Sequence, residues 1–360
     1  MVSGQSLPPE AYAAALAAMP GVGPAKLRDL LERRSPEKAW ATAGDRRIDV
    51  AARWQAYGRA GVAVHLLGQP GYPHVLAEDH EAPAVLFGVG DLEVLDGPRV
   101  AIVGSRRCTR YGRDVAFDLG RDLAEAGVRV VSGLALGIDG AAHLGALAAG
   151  GGAAPPVAVV GSGLDVVYPR AHARLWAQVA EAGAVLSEAP LGARPERWRF
   201  PARNRILAAL ADVVVVVESR IKGGSFHTVQ AADTRGVTVM AVPGPVRSAA
   251  SAYANDLLVT GCAPARDVLD VLVALDLIGR GPMRRRRGPA ATSPPPPDDP
   301  HQAALLEAMG WQPASLDQLV VRTGFSPGQV SVALARLEVG GRVVGEAGWW
   351  EQVRKEVPAK

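Results

Sequence analysis

The run Arg99-Val100-Ala101-Ile102-Val103, followed at once by Gly104-Ser105-Arg106-Arg107, carries the pattern on which the fold prediction rests. A short aliphatic run that does not alternate with polar residues is typical of a strand covered on both faces. The glycine and the polar residues after it mark the end of the strand, and a helical stretch opens near Tyr111. The pattern therefore predicts one strand–turn–helix unit.

The same unit recurs along the middle of the chain. Five further runs are followed by a turn and a helical stretch: Val128–Val131, Val157–Val160, Ala184–Leu186, Asp212–Val217 and Val237–Ala241. Gly127 and Gly183 follow helical stretches and predict helix ends. Because strands that alternate with helices pair in parallel through right-handed crossovers, we predict an α/β fold with a Rossmann-like, doubly wound, mostly parallel sheet.

The segment before the sheet, residues 1–70, is rich in Ala and Arg with helical spacing and predicts a helical domain like SAM or helix-hairpin-helix domains. Pro20-Gly21-Val22-Gly23-Pro24 separates two of its helices. The backbone amides of such a hairpin can hold a DNA phosphate, and an ordinary glycine-containing turn is an equally good interpretation. Residues 71–278 are predicted to form the Rossmann-like core.

The composition changes after the core. Residues 279–300 contain Arg284–Arg287 and Pro294–Pro297 with almost no apolar residue, which predicts a disordered linker. Residues 301–360 predict three helices and a small hairpin, the pattern of a winged-helix domain. Its third helix would normally read a DNA groove, but its face carries Arg336 as its one cation, which favours a protein contact or a weak DNA contact.

The bulk composition limits the class of protein. Of 360 residues, 48% are hydrophobic and 21% are charged, which indicates a globular chain, and the charge of +3 permits a polyanionic partner. Two cysteines exclude a disulfide framework and a cysteine-rich zinc site, and no histidine spacing predicts a metal. Apolar runs such as Val213–Val217 are too short to insert in a membrane, and the N-terminus lacks signal-peptide features, so we expect a cytoplasmic protein.

Ligands of open parallel sheets bind beyond the carboxyl ends of the strands, so the residues that follow each strand are the candidate binding residues. Ser132–Gly140 is glycine-rich, with Asp139 as the predicted helix N-cap. After Gly161-Ser162-Gly163, the third position of a dinucleotide-binding fingerprint is Val166, and no Walker loop is present. These observations disfavour a nucleotide cofactor, and we expect none.

Two strand ends carry strong positive charge. Gly192–Arg205 interleaves arginines with Trp198 and Phe200 ahead of a helix predicted to begin near Asn204. Arginines neutralise phosphates and aromatic rings stack on unpaired bases, although Phe200 is better interpreted as a core plug. Glu218–Ser225 places a lysine and two glycines at the start of the helix that holds Thr228, which predicts an anion site.

In order along the chain, these motifs resemble the bacterial DNA-processing protein A family (DprA, also called Smf). The resemblance rests on Val103-Gly104-Ser105-Arg106, Ser132-Gly133-Leu134-Ala135, Gly163-Leu164-Asp165 with Tyr168-Pro169, Phe200-Pro201 with Arg203-Asn204-Arg205-Ile206, and Ala241-Val242-Pro243-Gly244. It implies a non-enzymatic homodimer that binds single-stranded DNA in a basic pocket of the core. It also implies that the protein helps load the RecA recombinase during natural transformation.

The predicted DNA-binding residues combine the strand ends with the family motifs. They are Gly104, Ser105, Arg106, Arg107, Gly133, Gly137, Gly163, Arg199, Arg203, Asn204, Arg205, Lys222, Gly224, Ser225 and Thr228. Within this set, the resemblance implies that Gly104, Ser105 and Arg106 hold the DNA backbone. Ala202 departs from the family pattern, which often has a basic residue there, as do His172 and the Phe226-His227 pair.

Two other functions are compatible with these residues. Rossmann-like nucleotide phosphoribohydrolases also place an acidic residue beside glycine-rich turns, and Asp139, Asp165 and Glu218 follow predicted strands. Their simpler roles are helix caps and arginine partners, so no catalytic residue is predicted. A sequence-specific regulator that acts through the winged helix is the second alternative.

Overall fold

The computed structural model describes residues 7–221, 223–281, 299–310, 313–346 and 348–353. The chain divides into two compact units, residues 1–283 and 284–360, and each is described by itself.

The first unit begins with four helices: α1 (Pro9–Ala17), α2 (Pro24–Glu32), α3 (Pro36–Ala43) and α4 (Val50–Arg59). The first three begin with proline, whose fixed φ suits the first helical position. Leu16, Leu27, Ala39 and Tyr57 pack together. The prediction that residues 1–70 are purely helical is wrong at its end, because Ala63–Leu66 forms a strand of the main sheet.

In the described part of this unit, nine strands form one sheet in the order β1-β2-β6-β5-β4-β3-β7-β8-β9. They are β1 (Ala63–Leu66), β2 (Val85–Gly90), β3 (Arg99–Val103), β4 (Arg129–Ser132), β5 (Val157–Val160), β6 (Ala184–Ser187), β7 (Val213–Val216), β8 (Thr238–Ala241) and β9 (Ala263–Pro264). The strands from β3 to β9 pair in parallel, and β1 and β2 form an antiparallel edge beyond β6.

Helices cover both faces of the sheet, which confirms the doubly wound prediction. The remaining helices of the unit are α5 (His74–Ala77), α6 (Arg110–Glu125), α7 (Ile138–Ala148), α8 (Ala173–Ala182), α9 (Arg199–Leu210), α10 (Ser225–Asp233), α11 (Ala252–Val259) and α12 (Val268–Leu277). Alternate residues of β3 face opposite sides: Val100 and Ile102 pack with α6, α7 and α12, whereas Ala101 and Val103 pack with α9, α10 and α11.

The strand order reverses at β3. From β3 the chain adds β4, β5 and β6 on one side and then returns to add β7, β8 and β9 on the other. Such a topological switch point leaves a crevice at the carboxyl ends of the two central strands, here β3 and β7. The loops that follow these strands are therefore the first place to look for a ligand.

Two helix starts differ from the prediction. Helix α9 begins at Arg199, five residues before Asn204, because Pro201 falls in its first turn, where no backbone N–H is required. Asp139 is not the N-cap of α7, since the helix begins at Ile138 after Gly137. Its carboxylate instead accepts a hydrogen bond from the Gly133 amide at 3.1 Å.

The second unit is a winged helix, as predicted. It contains α13 (Pro300–Met309), β10 (Ala314–Ser315), α14 (Leu316–Thr323), α15 (Pro327–Val339), β11 (Val343–Glu346) and β12 (Trp349–Gln352). Capping boxes at Ser315 and Ser326 fix the starts of α14 and α15. Most of the predicted linker, from residue 282 to 298, lies outside the described residues. Among the described residues, no helix is long and apolar enough to cross a membrane.

Candidate nucleic-acid interface

The two loops at the switch point are bonded to each other through Glu218. The Ser105 amide donates to the backbone carbonyl of Glu218 at 2.6 Å. The backbone amide and hydroxyl of Thr109 donate to the Glu218 carboxylate at 2.8 and 2.7 Å, and this carboxylate is buried. Since Thr109 also caps α6, Glu218 fixes the loop of residues 104–109 against the end of β7.

Glycines in these loops are required by close packing within the protein. Gly137 has a φ of +80°, and a Cβ there would overlap the Ser105 carbonyl. A Cβ at Gly133 would overlap the Arg203 guanidinium, and Gly104 and Gly163 are equally enclosed by protein atoms. Gly224 differs, because it is exposed and no atom lies within 4 Å of the position of its Cβ. Among the predicted glycines, Gly224 is therefore the one whose backbone is open to a ligand.

Exposed cations stand at the mouth of the crevice. Arg106 and Arg107 are exposed and have no ion-pair partner among the described residues. The Arg107 amide donates to the Ser105 hydroxyl at 3.1 Å, and this bond shapes the turn. The Arg106 amide has no acceptor in the described parts of the chain. An unpaired guanidinium next to an unpaired amide is well suited to a phosphate oxygen.

Arg106, Tyr168 and Phe200 line an open cleft together with Gly133, Leu136, Ser162 and Pro195. We call it the switch-point cleft after Arg106, which follows β3 at the switch point; its other lining residues lie at or after the ends of β4, β5 and β6 or in α9. The Tyr168 and Phe200 ring centres lie 5.8 Å apart, and Tyr168 is exposed. The interpretation of Phe200 as a core plug is wrong, because its ring forms a wall of this cleft. Aromatic residues make up 5% of the chain, and that scarcity was the signal that could have identified this pair.

Arg203 lies beneath the cleft and is buried. Its guanidinium donates to the Gly133 carbonyl at 3.0 Å and to the Val159 carbonyl, and its Nε donates to Asn204 Oδ1 at 3.1 Å. Burial lowers the pKa of Arg203 to about 10, an effect that the nearby Asp139 carboxylate opposes. Arg203 is therefore charged at neutral pH. Its Nη1 and Nε bind protein acceptors, and the residue also lines the cleft.

Several other predicted residues also have structural partners. Arg205 donates to both carboxylate oxygens of Glu188 at 2.6 Å. The side-chain Nδ2 of Asn204 donates to the Gly224 carbonyl at 3.1 Å, and the Ser225 hydroxyl donates to the Ser219 hydroxyl at 2.6 Å. Thr228 is buried in α10. The structure does not place these four side chains among the exposed groups of the interface.

Arg199 is the remaining predicted arginine. Its guanidinium lies over the Trp198 ring, 4.4 Å from the ring centre, and its Nε is 3.6 Å from Glu196 Oε1. Lys222 lies outside the described residues. The set of predicted residues did not include the exposed arginines Arg170, Arg194, Arg197 and Arg220, which follow strand ends and add positive charge.

The three carboxylates that could serve a hydrolase all make structural hydrogen bonds. Glu218 binds Thr109, and Asp139 binds the Gly133 amide. Burial raises the pKa of Asp139, although the Arg203 charge opposes this effect. Asp165 accepts two hydrogen bonds from the Gly192 amide at 2.8 and 3.0 Å. These placements favour an interface built from cations and aromatic rings over one built from paired carboxylates.

Comparison with known protein families gives two matches. The family model described as "DNA recombination-mediator protein A" matches residues 63–276, and the "DprA winged helix domain" model matches residues 289–348. The DNA processing protein DprA of Streptococcus pneumoniae is 40% identical over 205 residues, which cover 57% of this chain and 71% of that protein.

Two solved structures resemble the fold. The crystal structure of DprA from Streptococcus pneumoniae has a TM-score of 0.62 at 31% identity and covers 75% of this chain and 98% of its own. The structure of DNA processing protein A from Helicobacter pylori, described for its single-stranded DNA binding mode, has a TM-score of 0.53 at 29% identity. The match covers 61% of this chain and 96% of that protein.

Proposed function

The chain belongs to the DNA recombination-mediator protein A family, and on that premise we propose that it binds single-stranded DNA at the carboxyl-terminal edge of its main sheet. The Helicobacter pylori relative was described for such binding, and it shares the fold of the core. The proposal assigns the strand to the switch-point cleft and to the exposed arginines around it.

One observation carries the proposal: exposed arginines without ion-pair partners in the described chain surround a cleft with aromatic walls. Arg106 lines the cleft, Arg107 is exposed next to it in the same loop, and Arg220 is exposed in the loop that follows β7. Phosphates release counterions when they meet such cations, which gives affinity without sequence preference. Tyr168 and Phe200 offer ring faces to an unpaired base, which a duplex keeps inside its stack.

Membership of the family is the basis for a proposal about the wider role. We propose that the protein protects incoming DNA as a cytoplasmic homodimer and helps load the RecA recombinase during natural transformation. A binding protein of this kind needs no catalytic residue, which agrees with the structural hydrogen bonds of Asp139, Asp165 and Glu218.

We propose that the winged helix contacts protein. Residues 301–360 contain four arginines, two lysines and six acidic residues, a balance that gives no net attraction to a phosphate backbone. Arg336 of α15 forms an ion pair with Asp299 at 3.1 Å. Val332 and Val339 are exposed on the same helix. This composition does not favour the alternative of a sequence-specific duplex reader.

A salt titration of the full-length protein tests the proposed function. Binding to labelled oligo-dT is compared with binding to a duplex of equal length over a range of salt concentrations. We expect tighter binding of the single strand and a steep loss of affinity with salt. Equal affinity for both, or release of free base from a nucleoside monophosphate, would contradict the proposal and favour the phosphoribohydrolase alternative.

A further inference from the structure

A second, shallow cleft lies where the α1–α2 hairpin meets the core. We call it the seam cleft. Val22, Gly23 and Pro24 of the hairpin form one side, and Trp198 and Arg199 at the start of α9 form another. Most of its lining is apolar, and the Glu188 carboxylate at its base is paired with Arg205. The cleft therefore suits a flat apolar group whose polar edge remains at the mouth.

Trp198 is the feature of the seam cleft that points to a base. Its side chain is 46% exposed, although a large apolar ring gains by burial. The indole Nε1 donates to Glu196 Oε2 at 2.8 Å, and the Arg199 guanidinium lies over the ring at 4.4 Å. These two contacts fix the ring before any ligand binds. A fixed, exposed aromatic ring is the platform on which single-strand binding proteins stack bases.

The seam cleft lies next to the switch-point cleft. Both are lined by Val160, Gly161 and Arg203, so they adjoin across the end of β5 and the first turns of α9. One strand of DNA that places a base against Phe200 can place a nearby base against Trp198. The surrounding charge suits such a strand, because Arg194 and Arg197 are exposed beside Trp198 and Lys26 is exposed in the first turn of α2.

We propose that the seam cleft is a second base-binding subsite for the same DNA strand, with Trp198 as its stacking platform and the N-terminal hairpin as its outer wall. The inference rests on the proposed function and extends it, because it makes the N-terminal helices part of the interface. Stacking tolerates every base, so this subsite adds affinity without sequence preference.

Photo-crosslinking tests the subsite in the full-length protein. An oligo-dT in which iodouracil replaces some thymines is bound and irradiated, and the adducts are mapped by mass spectrometry. We expect an adduct at Trp198. We also expect Trp198→Ala to weaken oligo-dT binding roughly tenfold and Trp198→Phe to restore most of the loss. Trp349→Ala is the matched control, because Trp349 is 48% exposed but lies in the winged helix.

The outcomes separate this inference from the proposed function. Adducts confined to Tyr168 or Phe200, with unchanged affinity in Trp198→Ala, would overturn the subsite while leaving single-strand binding intact. A wild-type protein that binds no oligo-dT would overturn both. An adduct at Trp198 together with a loss of affinity in Trp198→Ala, but not in Trp349→Ala, would support the subsite.

Discussion

The guanidinium carbon of Arg106 lies over the Phe200 ring, 4.6 Å from its centre. Arg106 follows β3 and Phe200 lies in α9, so the contact joins the charged loop of the switch point to the aromatic wall of its cleft. A cation over a ring face is held in place without a carboxylate, and its N–H groups remain free for a phosphate. This arrangement gives the interface both of the groups that an unpaired strand requires.

Replacing Arg106 tests the charge at the cleft. Arg106→Ala should weaken binding of oligo-dT about fivefold and reduce the slope of log affinity against log salt by about 0.7, the value for one lost phosphate contact to a single strand. Salt titration by fluorescence anisotropy measures both quantities. Arg59→Ala is the control, since Arg59 is exposed at the end of α4. Unchanged binding by Arg106→Ala would show that the cleft is not the site.

Replacing Arg203 should affect stability more than binding. Arg203→Met leaves the Gly133 and Val159 carbonyls without their donor and Asp139 without its facing charge. We expect the free energy of unfolding to fall by about 3 to 5 kcal/mol, the usual effect of removing one partner from a buried charged network. Urea denaturation measures the change. Arg106→Ala is the control, and its urea midpoint should equal that of the wild type. A fully stable Arg203→Met protein with weakened DNA binding would reverse our assignment of Arg203.

Two glycine variants separate steric overlap from backbone strain. Gly137 and Gly150 have φ values of +80° and +78°, but Gly137 is enclosed by the Ser105 carbonyl whereas no atom lies within 4 Å of a Cβ at Gly150. Gly150→Ala should lower the unfolding free energy by about 1 kcal/mol. Gly137→Ala should lower the unfolding free energy by several kcal/mol more than Gly150→Ala does, or prevent folding. Thermal unfolding measures both losses. Equal losses would mean that the loop of residues 104–109 can move aside.

Stability should fall on acidification because of His143. Burial lowers the pKa of this histidine from its ordinary 6.5 to about 3, so it stays neutral in the folded protein while the unfolded chain takes up a proton. Its contribution is therefore fully present above pH 6.5 and declines between pH 6.5 and 3, by at most about 1.4 kcal/mol per pH unit. Urea denaturation of His143→Gln across this range should show a shallower decline than the wild type. Since His227 is exposed, His227→Gln is the control, and equal slopes in wild type and His143→Gln would refute the assignment.

The sequence predicted the strands from β3 to β8 well, because each is a short, mostly buried run such as Val213–Val216, whereas the exposed two-residue strand β9 was not predicted. The edge strands β1 and β2 did not stand out, since β1 mixes exposed and buried residues and β2 contains two glycines. The sequence also could not predict the roles of the buried site residues. Arg203 Nη1 donates to carbonyls 70 and 44 positions away in the sequence, and no local motif predicts such distant backbone acceptors.

Strand β1 has a practical consequence for anyone who shortens the chain. A core fragment that started at residue 71 would lack β1 (Ala63–Leu66). The outer edge of β2 (Val85–Gly90) would then have no strand to pair with. Val85, Leu86 and Phe87 are almost completely buried in the intact protein, so such a fragment would present a long apolar edge to other copies of itself. A soluble fragment of the core should therefore keep β1 and begin before Ala63.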